Sequence, residues 1–250
     1  MALNERIPLF FSSTSEYTMH ALSPLYALEF SLFLQSQTWF RTADTVSTSR
    51  LLVQIVGDRL TPVHKQTVCS INSTAEGIGP DIAMSQAFIA AMGSTAFPAE
   101  LSVNHGTATY SWNPEPVLIG YSGISTEPVP TSVSDPRIID WDKDGYLAAS
   151  VRVQFNAFGT LLFFIAQQSD LKMSGTMVGQ DIVGTVTIES FQQQVLSSKP
   201  SLWIYPRVIP RQNKGSFRMV PINDATCDQV ERAFDERTSL SVAPKELKPD

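Results

Sequence analysis

Charged residues are scarce in this sequence. They make up 17% of the 250 residues, whereas about a quarter is usual in soluble proteins. The formal net charge is −6, and no cluster of Lys and Arg offsets it, so the chain lacks the basic surface with which proteins bind nucleic acid. We therefore expect no nucleic-acid partner, and the largely neutral polar composition favours an exported β protein.

Cysteine is also rare. Cys69 and Cys227 fit no Cys-x-x-Cys pattern, which argues against a zinc or redox site. They are either two thiols or one disulfide, and a bridge that closes so long a loop would stabilise the protein by roughly 5 kcal/mol. We expect the disulfide and a secreted or periplasmic protein. Residues 1–5 do not begin a signal peptide, so the sequence fits a mature form, and a cytoplasmic protein stays open.

Short segments with the patterns of β-strands take the place of long hydrophobic runs. The longest run, residues 161–166, is far below the ~20 residues of a membrane-spanning helix, so we expect no membrane span. Residues 151–155 alternate as a half-buried strand does, and the turn Gly57-Asp58 separates two strand-like segments as in a hairpin. We predict strands at residues 25–34, 50–56, 63–71, 101–112, 151–155, 160–167, 172–178, 181–191, 202–208 and 216–220.

Two segments have helical patterns instead. The first is predicted to begin at the cap Asp81 and to end at Gly93. The second begins after Asp224 or Thr226, and one apolar stripe would dock it on the body of the protein through Cys227, Val230 and Phe234. The fold class is therefore mainly β, an antiparallel barrel or sandwich with one or two short helices.

A proline-rich segment, residues 113–136, divides the chain. Proline lacks the ladder N–H, so a central strand is not expected there. No residue-level repeat relates the two sides. We predict a single domain over residues 1–250, with two packed halves, residues 1–112 and 137–238, as the alternative.

The most specific pattern is Asp140-Trp141-Asp142-Lys143-Asp144-Gly145. Calcium takes six to eight oxygen ligands, and carboxylates at alternate positions of a tight loop can point at one ion. Asp140, Asp142 and Asp144 would supply side chains, and Tyr146 its backbone carbonyl. The alternative is a polar turn whose Asp side chains bind their own backbone, as in Asx-turns.

This loop resembles the calcium-binding Asp-x-Asp-x-Asp-Gly loops of exported proteins. It is not an EF-hand, because the twelfth position, where that motif has a bidentate Glu, is Val151. The resemblance implies that a further ligand comes from elsewhere in the fold, and Asp135 is the nearest spare carboxylate in sequence. It also implies a structural calcium ion as cofactor, at the start of the strand that contains Val151.

No pattern for catalysis is present. The three histidines, His20, His64 and His105, form no zinc or nucleophile-elbow motif, and His105 is the first we would consider in a hidden triad. Glutamine pairs and the side chains of Trp112, Trp141 and Trp203 could hold a sugar, or an apolar ligand could enter a barrel, although ordinary surface and core positions explain them as well.

The sequence therefore predicts a calcium-stabilised, exported β protein that acts as a binding or structural module. Its partner would be another protein, a sugar or an apolar small ligand. An extracellular hydrolase and a subunit of a larger assembly are the alternatives.

Overall fold

The computed structural model describes residues 22–37, 42–57, 61–75, 81–155, 159–202 and 205–241. Twelve antiparallel strands of these residues form one sheet that curls into a ring, with two helices. The predicted fold class is confirmed. The elements are β1 (Leu25–Gln37), β2 (Thr42–Val56), β3 (Val63–Ala75), β4 (Asp81–Met84), α1 (Gln86–Met92), β5 (Ser94–Asn104), β6 (Thr107–Trp112), β7 (Val117–Ile119), β8 (Ala149–Phe155), β9 (Gly159–Val178), β10 (Asp181–Lys199), β11 (Arg207–Pro210), β12 (Lys214–Pro221) and α2 (Cys227–Ser241).

Several element predictions need correction. The first helix starts later than predicted, because Ser85 rather than Asp81 is its N-cap and accepts a hydrogen bond from the Phe88 N–H. Residues 81–84 instead pair with β3 and β8. Residues 101–112 form a hairpin, since His105 and Gly106 both have positive φ and turn the chain. Residues 160–178 lie in one continuous strand, β9, whose alternation persists through the polar stretch that separates the two predicted strands.

Two long strands of the ring, β3 and β9, change pairing partner along their length. β3 pairs with β5 over residues 63–67 and with β4 over residues 72–74. Similarly, β9 pairs with β8 near its start and with β6 near its end. We call the part of the ring that contains β5, β6 and β12 the filled half, and the part that contains β4, β8 and β11 the open half. β1, β2, β3, β9 and β10 run through both.

The filled half contains a packed aromatic core. Trp112 is 2% exposed, and its ring lies 5.2 Å from that of Phe217 and 4.3 Å from that of His64. Phe217 covers the paired glycines Gly175 and Gly184, where an added Cβ would lie 2.6 Å from the Phe217 ring. The buried members of this core are Tyr26, Leu28, Leu51, Val53, Phe97, Ala108, Tyr110, Trp112, Met173, Met177, Ile182, Val186, Phe217 and Met219.

The open half encloses a cavity of about 810 Å³. Inward side chains of β1, β2, β3, β4, β8, β9 and β10 line it, together with Phe88 and Met92 of α1. Leu51 and Met173 belong both to its lining and to the core of the filled half, so they mark the border between the two halves. The apolar run of residues 161–165 alternates, and its odd-numbered members face the cavity.

Helix α2 covers the outer surface of the filled half. Cys227 at its start forms a disulfide with Cys69 of β3, which confirms the predicted bridge. Val230 and Phe234 are buried beneath the helix, as the apolar stripe predicts. Thr226 caps the helix through a hydrogen bond from the Gln229 N–H. Neither helix in the described part of the chain is long and apolar enough to cross a membrane.

Residues 120–148, which we call the outer segment, lie against the outer face of β9. Tyr121, Val129 and Ile138 pack there with Phe164 and Ala166 of the strand. The proline-rich residues 113–136 thus include β7, which pairs with β9, and the start of the outer segment. Strands from both sides of this stretch belong to one sheet; the division into domains stays a prediction.

Candidate functional site

The acidic loop lies at the end of the outer segment, immediately before β8. Its backbone is held by the Ala148 N–H, which donates to the Ile139 carbonyl at 2.7 Å, and by a bridge between Asp140 and Ala148. Lys143 and Gly145 have positive φ values of 56° and 90°. Glycine takes up such a conformation without steric cost, so the glycine of the motif serves the sharp turn that the sequence predicts.

The loop brings the three predicted carboxylates together. One oxygen each of Asp140, Asp142 and Asp144 lies within 4.8 Å of the others. Asp140 and Asp144 are exposed to solvent, whereas Asp142 is 2% exposed. The cluster therefore has one buried carboxylate and two exposed ones.

Asp140 and Asp144 accept hydrogen bonds from backbone donors of the loop itself. Asp140 accepts hydrogen bonds from the N–H groups of Asp144 and Gly145, both at 3.1 Å. Asp144 accepts one from the Tyr146 N–H at 3.0 Å, which is the geometry of an Asx-turn. The polar-turn alternative thus accounts for these two side chains. It does not account for the third.

Asp142 carries a carboxylate oxygen without a partner. Its Oδ2 accepts a hydrogen bond from the Ser150 N–H of β8 at 3.0 Å. Its Oδ1 is buried and has no hydrogen-bond partner among the described residues. Burial raises the pKa of the Asp142 carboxyl, and the neighbouring Asp144 and Asp140 charges add to this, while the Ser150 N–H opposes it. A buried anionic oxygen left unpaired is costly, and a cation at the cluster would relieve both the desolvation and the repulsion.

The other two predicted ligands, Tyr146 and Asp135, have contacts outside the cluster. The Tyr146 ring packs against Phe164 at 5.0 Å, and its hydroxyl accepts a hydrogen bond from Lys199; its carbonyl as a ligand stays a prediction. Asp135 is not spare, because Arg137 binds both of its carboxylate oxygens and lowers its pKa to about 2. Asp135 therefore neutralises a guanidinium in the outer segment.

Trp141 connects the loop to the wall of the ring. Its side chain lies beside Phe88 of α1, with the ring centroids 5.2 Å apart. Phe88 in turn lines the cavity of the open half. The residue between two predicted ligands is thus an anchor that fixes the loop against α1.

The predicted catalytic and stacking residues do not form one site among the described residues, although Trp112 stacks on His64 in the buried core. His105 lies in the β5–β6 turn, and His20 and Trp203 fall outside the described residues. His64 is fully buried, and its Nδ1 pairs with the Tyr110 hydroxyl at 3.2 Å. Burial lowers its pKa to about 3, although Gln66 opposes this. No hydrogen bond from a histidine to a serine or carboxylate occurs among the described contacts.

The cavity of the open half is only partly anticipated by the sequence, which allows an apolar ligand in a barrel beside residues 161–165 but marks none of the other walls. Its lining is spread over strands that are distant in sequence, so no local motif marks it. One signal was available. Ser47, Ser49, Gln167 and Ser169 occupy inward positions of strands whose other inward residues are apolar, and such interruptions indicate a wall that is not fully packed.

No protein-family model matches the chain, and no significant similarity to a curated protein or to a solved structure was found.

Proposed function

We propose that this protein is an exported, calcium-stabilised β protein that acts as a binding module. The observation that carries the calcium assignment is the buried, unpartnered Oδ1 of Asp142 beside two further carboxylates. Three closely spaced acidic oxygens suit a hard, oxygen-seeking cation such as calcium. The disulfide between Cys69 and Cys227 supports an oxidising compartment.

The residues that would hold the ion are Asp140, Asp142 and Asp144, with the Tyr146 carbonyl as a fourth ligand. A bound calcium ion would supply positive charge and oxygen coordination at this point. Asp142 already ties the loop to β8 through Ser150, and Trp141 ties it to α1. Neutralising the cluster would therefore stabilise the junction between the outer segment and the ring, which is a structural role.

The substitution Asp142→Asn tests this role. The amide oxygen can still accept from Ser150, while one negative charge and the unpartnered anionic oxygen are removed. In excess calcium the parent should melt above the variant, because a ligand present at 100 times its Kd stabilises by about 2.7 kcal/mol, or about 5–10 °C for a chain of this size. In chelator the order should reverse, because the parent keeps the unpaired buried charge.

Asp224→Asn is the matched control, since it removes the same charge from an exposed position outside the loop. Its melting temperature should follow that of the parent in calcium and in chelator. Melting is followed by circular dichroism at fixed ionic strength. A parent protein whose melting temperature is the same in calcium and in chelator would refute the assignment.

A further inference from the structure

We propose that the cavity of the open half binds an elongated, uncharged apolar molecule of the class of long-chain alcohols and neutral single-chain lipids. The inference deepens the binding part of the function proposed above. It names the class of ligand and the side chains that select it. It does not depend on the acidic loop.

The size of the cavity fits a small-molecule ligand. Its volume of about 810 Å³ lies within the roughly 300–1,000 Å³ usual for ligand sites. Its lining follows β2 from Ala43 to Leu51. Eight residue steps of a tilted strand correspond to about 20 Å along the ring axis. The space is therefore elongated.

The lining is apolar, and part of it stays accessible although it packs against buried clusters. Phe30, Leu32 and Leu34 of β1 all point into the cavity and are only half-buried. Leu161 of β9 and Phe191 of β10 are half-buried as well. Apolar side chains normally gain about 25 cal/mol for each Å² withdrawn from water. A ligand in the cavity would remove all of these surfaces from water, and this is the driving force for binding.

The charge of the cavity lining favours a neutral ligand over an anionic one. Among the described residues that line the cavity, Glu115 is the single charged residue, and it is exposed. A carboxylate inside would have no Lys or Arg partner among these described lining residues, and a buried unpaired charge is strongly disfavoured. The net charge of −6 also repels anions.

Neutral hydrogen-bonding groups are present on two walls. Ser47 and Ser73 join β2 and β3 through a hydroxyl hydrogen bond of 3.1 Å. Gln167 and Gln193 are cross-strand partners on β9 and β10 and both face the cavity. Hydroxyl and amide groups of this kind can bind a hydroxyl or an ester, so they suit an apolar chain that ends in an uncharged polar group.

The test uses the full-length protein and displacement of the apolar fluorescent probe N-phenylnaphthylamine. Hexadecanol and hexadecanoate are compared as competitors at pH 7. We expect hexadecanol to displace the probe at a concentration about tenfold lower than hexadecanoate does. The carboxylate would be buried without a charged hydrogen-bond partner, and one such partner is worth at least a factor of ten in affinity. Equal competition, preference for the carboxylate or absence of probe binding would overturn the proposal.

The variant Gln193→Lys places a cation in the cavity wall and should reverse the preference in favour of hexadecanoate. Gln194→Lys is the matched control, since the neighbouring side chain is exposed and does not line the cavity; it should keep the preference of the parent. A change of the same size in the preference between the two competitors in both variants would show that the probe binds elsewhere and would overturn the proposal. Melting of the same samples in calcium and in chelator reports separately on the acidic loop, so failure of one proposal is distinguishable from failure of the other.

Discussion

Removing the disulfide should weaken the protein without undocking α2. Cys69 and Cys227 are 158 residues apart, and in the chain-entropy model a loop of this length stabilises the folded state by about 5 kcal/mol. The contacts beneath the helix do not depend on the bridge. Val230 and Phe234 are buried, and Arg50 of β2 pairs with Glu231 at 2.6 Å. The perturbation is the double substitution Cys69→Ala/Cys227→Ala, which leaves no free thiol.

The assay is urea unfolding, followed by tryptophan fluorescence and circular dichroism. With a urea dependence of about 3 kcal/mol per M, the loss corresponds to a midpoint about 2 M lower, with a slope no smaller than that of the parent, because the unbridged unfolded chain exposes at least as much surface. Reductant should bring the parent to the midpoint of the variant and leave the variant unaffected. An unchanged midpoint would refute the entropic argument. A smaller slope would show less buried surface, and it would contradict the claim that the remaining contacts keep α2 in place.

Two further predictions concern the filled half. The folded pKa of His64, about 3, lies below the ordinary 6.5, so the unfolded state binds more protons between these values and stability is lost as pH falls. Urea unfolding at pH 6.5 and 4.5 should show a loss about 2 kcal/mol larger for the parent than for His64→Phe; equal losses would exclude His64 as the cause. Gly184→Ala should lower the free energy of unfolding by about 3 kcal/mol, because the new Cβ meets Ser174 backbone and the Phe217 ring. The exposed neighbour Thr185 supplies the control Thr185→Ala, and similar melting temperatures for both variants would contradict this packing argument.

The parts of the fold that depend on neighbouring residues were predictable from the sequence. Gly57 marks the β2–β3 hairpin and Gly179 the β9–β10 turn, and both have positive φ as such turns require. The acidic loop was predictable for the same reason, since its carboxylates alternate along a short stretch. Thr226 could be recognised as a cap because the apolar stripe of α2 follows it directly.

Long-range features left no comparable signal. The change of partner along β3, from β5 to β4, brings together segments whose pairing no local pattern specifies. The burial of Asp142 depends on Ser150 and on the docking of Trp141 against Phe88. The cavity was the hardest to foresee, because alternating apolar residues predict an inward face equally well whether the interior is packed or open.

The strands shared by both halves affect the free energy of the ligand binding proposed above. β3 and β9 are fixed at one end by the packed core around Trp112, and the same strands continue as walls of the open half. The shape of those walls is therefore set when the protein folds and does not have to be set again when a molecule enters. Ordering of wall side chains and loops is a major cost of association, and a wall that is ordered in advance avoids much of it. The packed half of the ring would thus preorganise the walls of the proposed binding cavity.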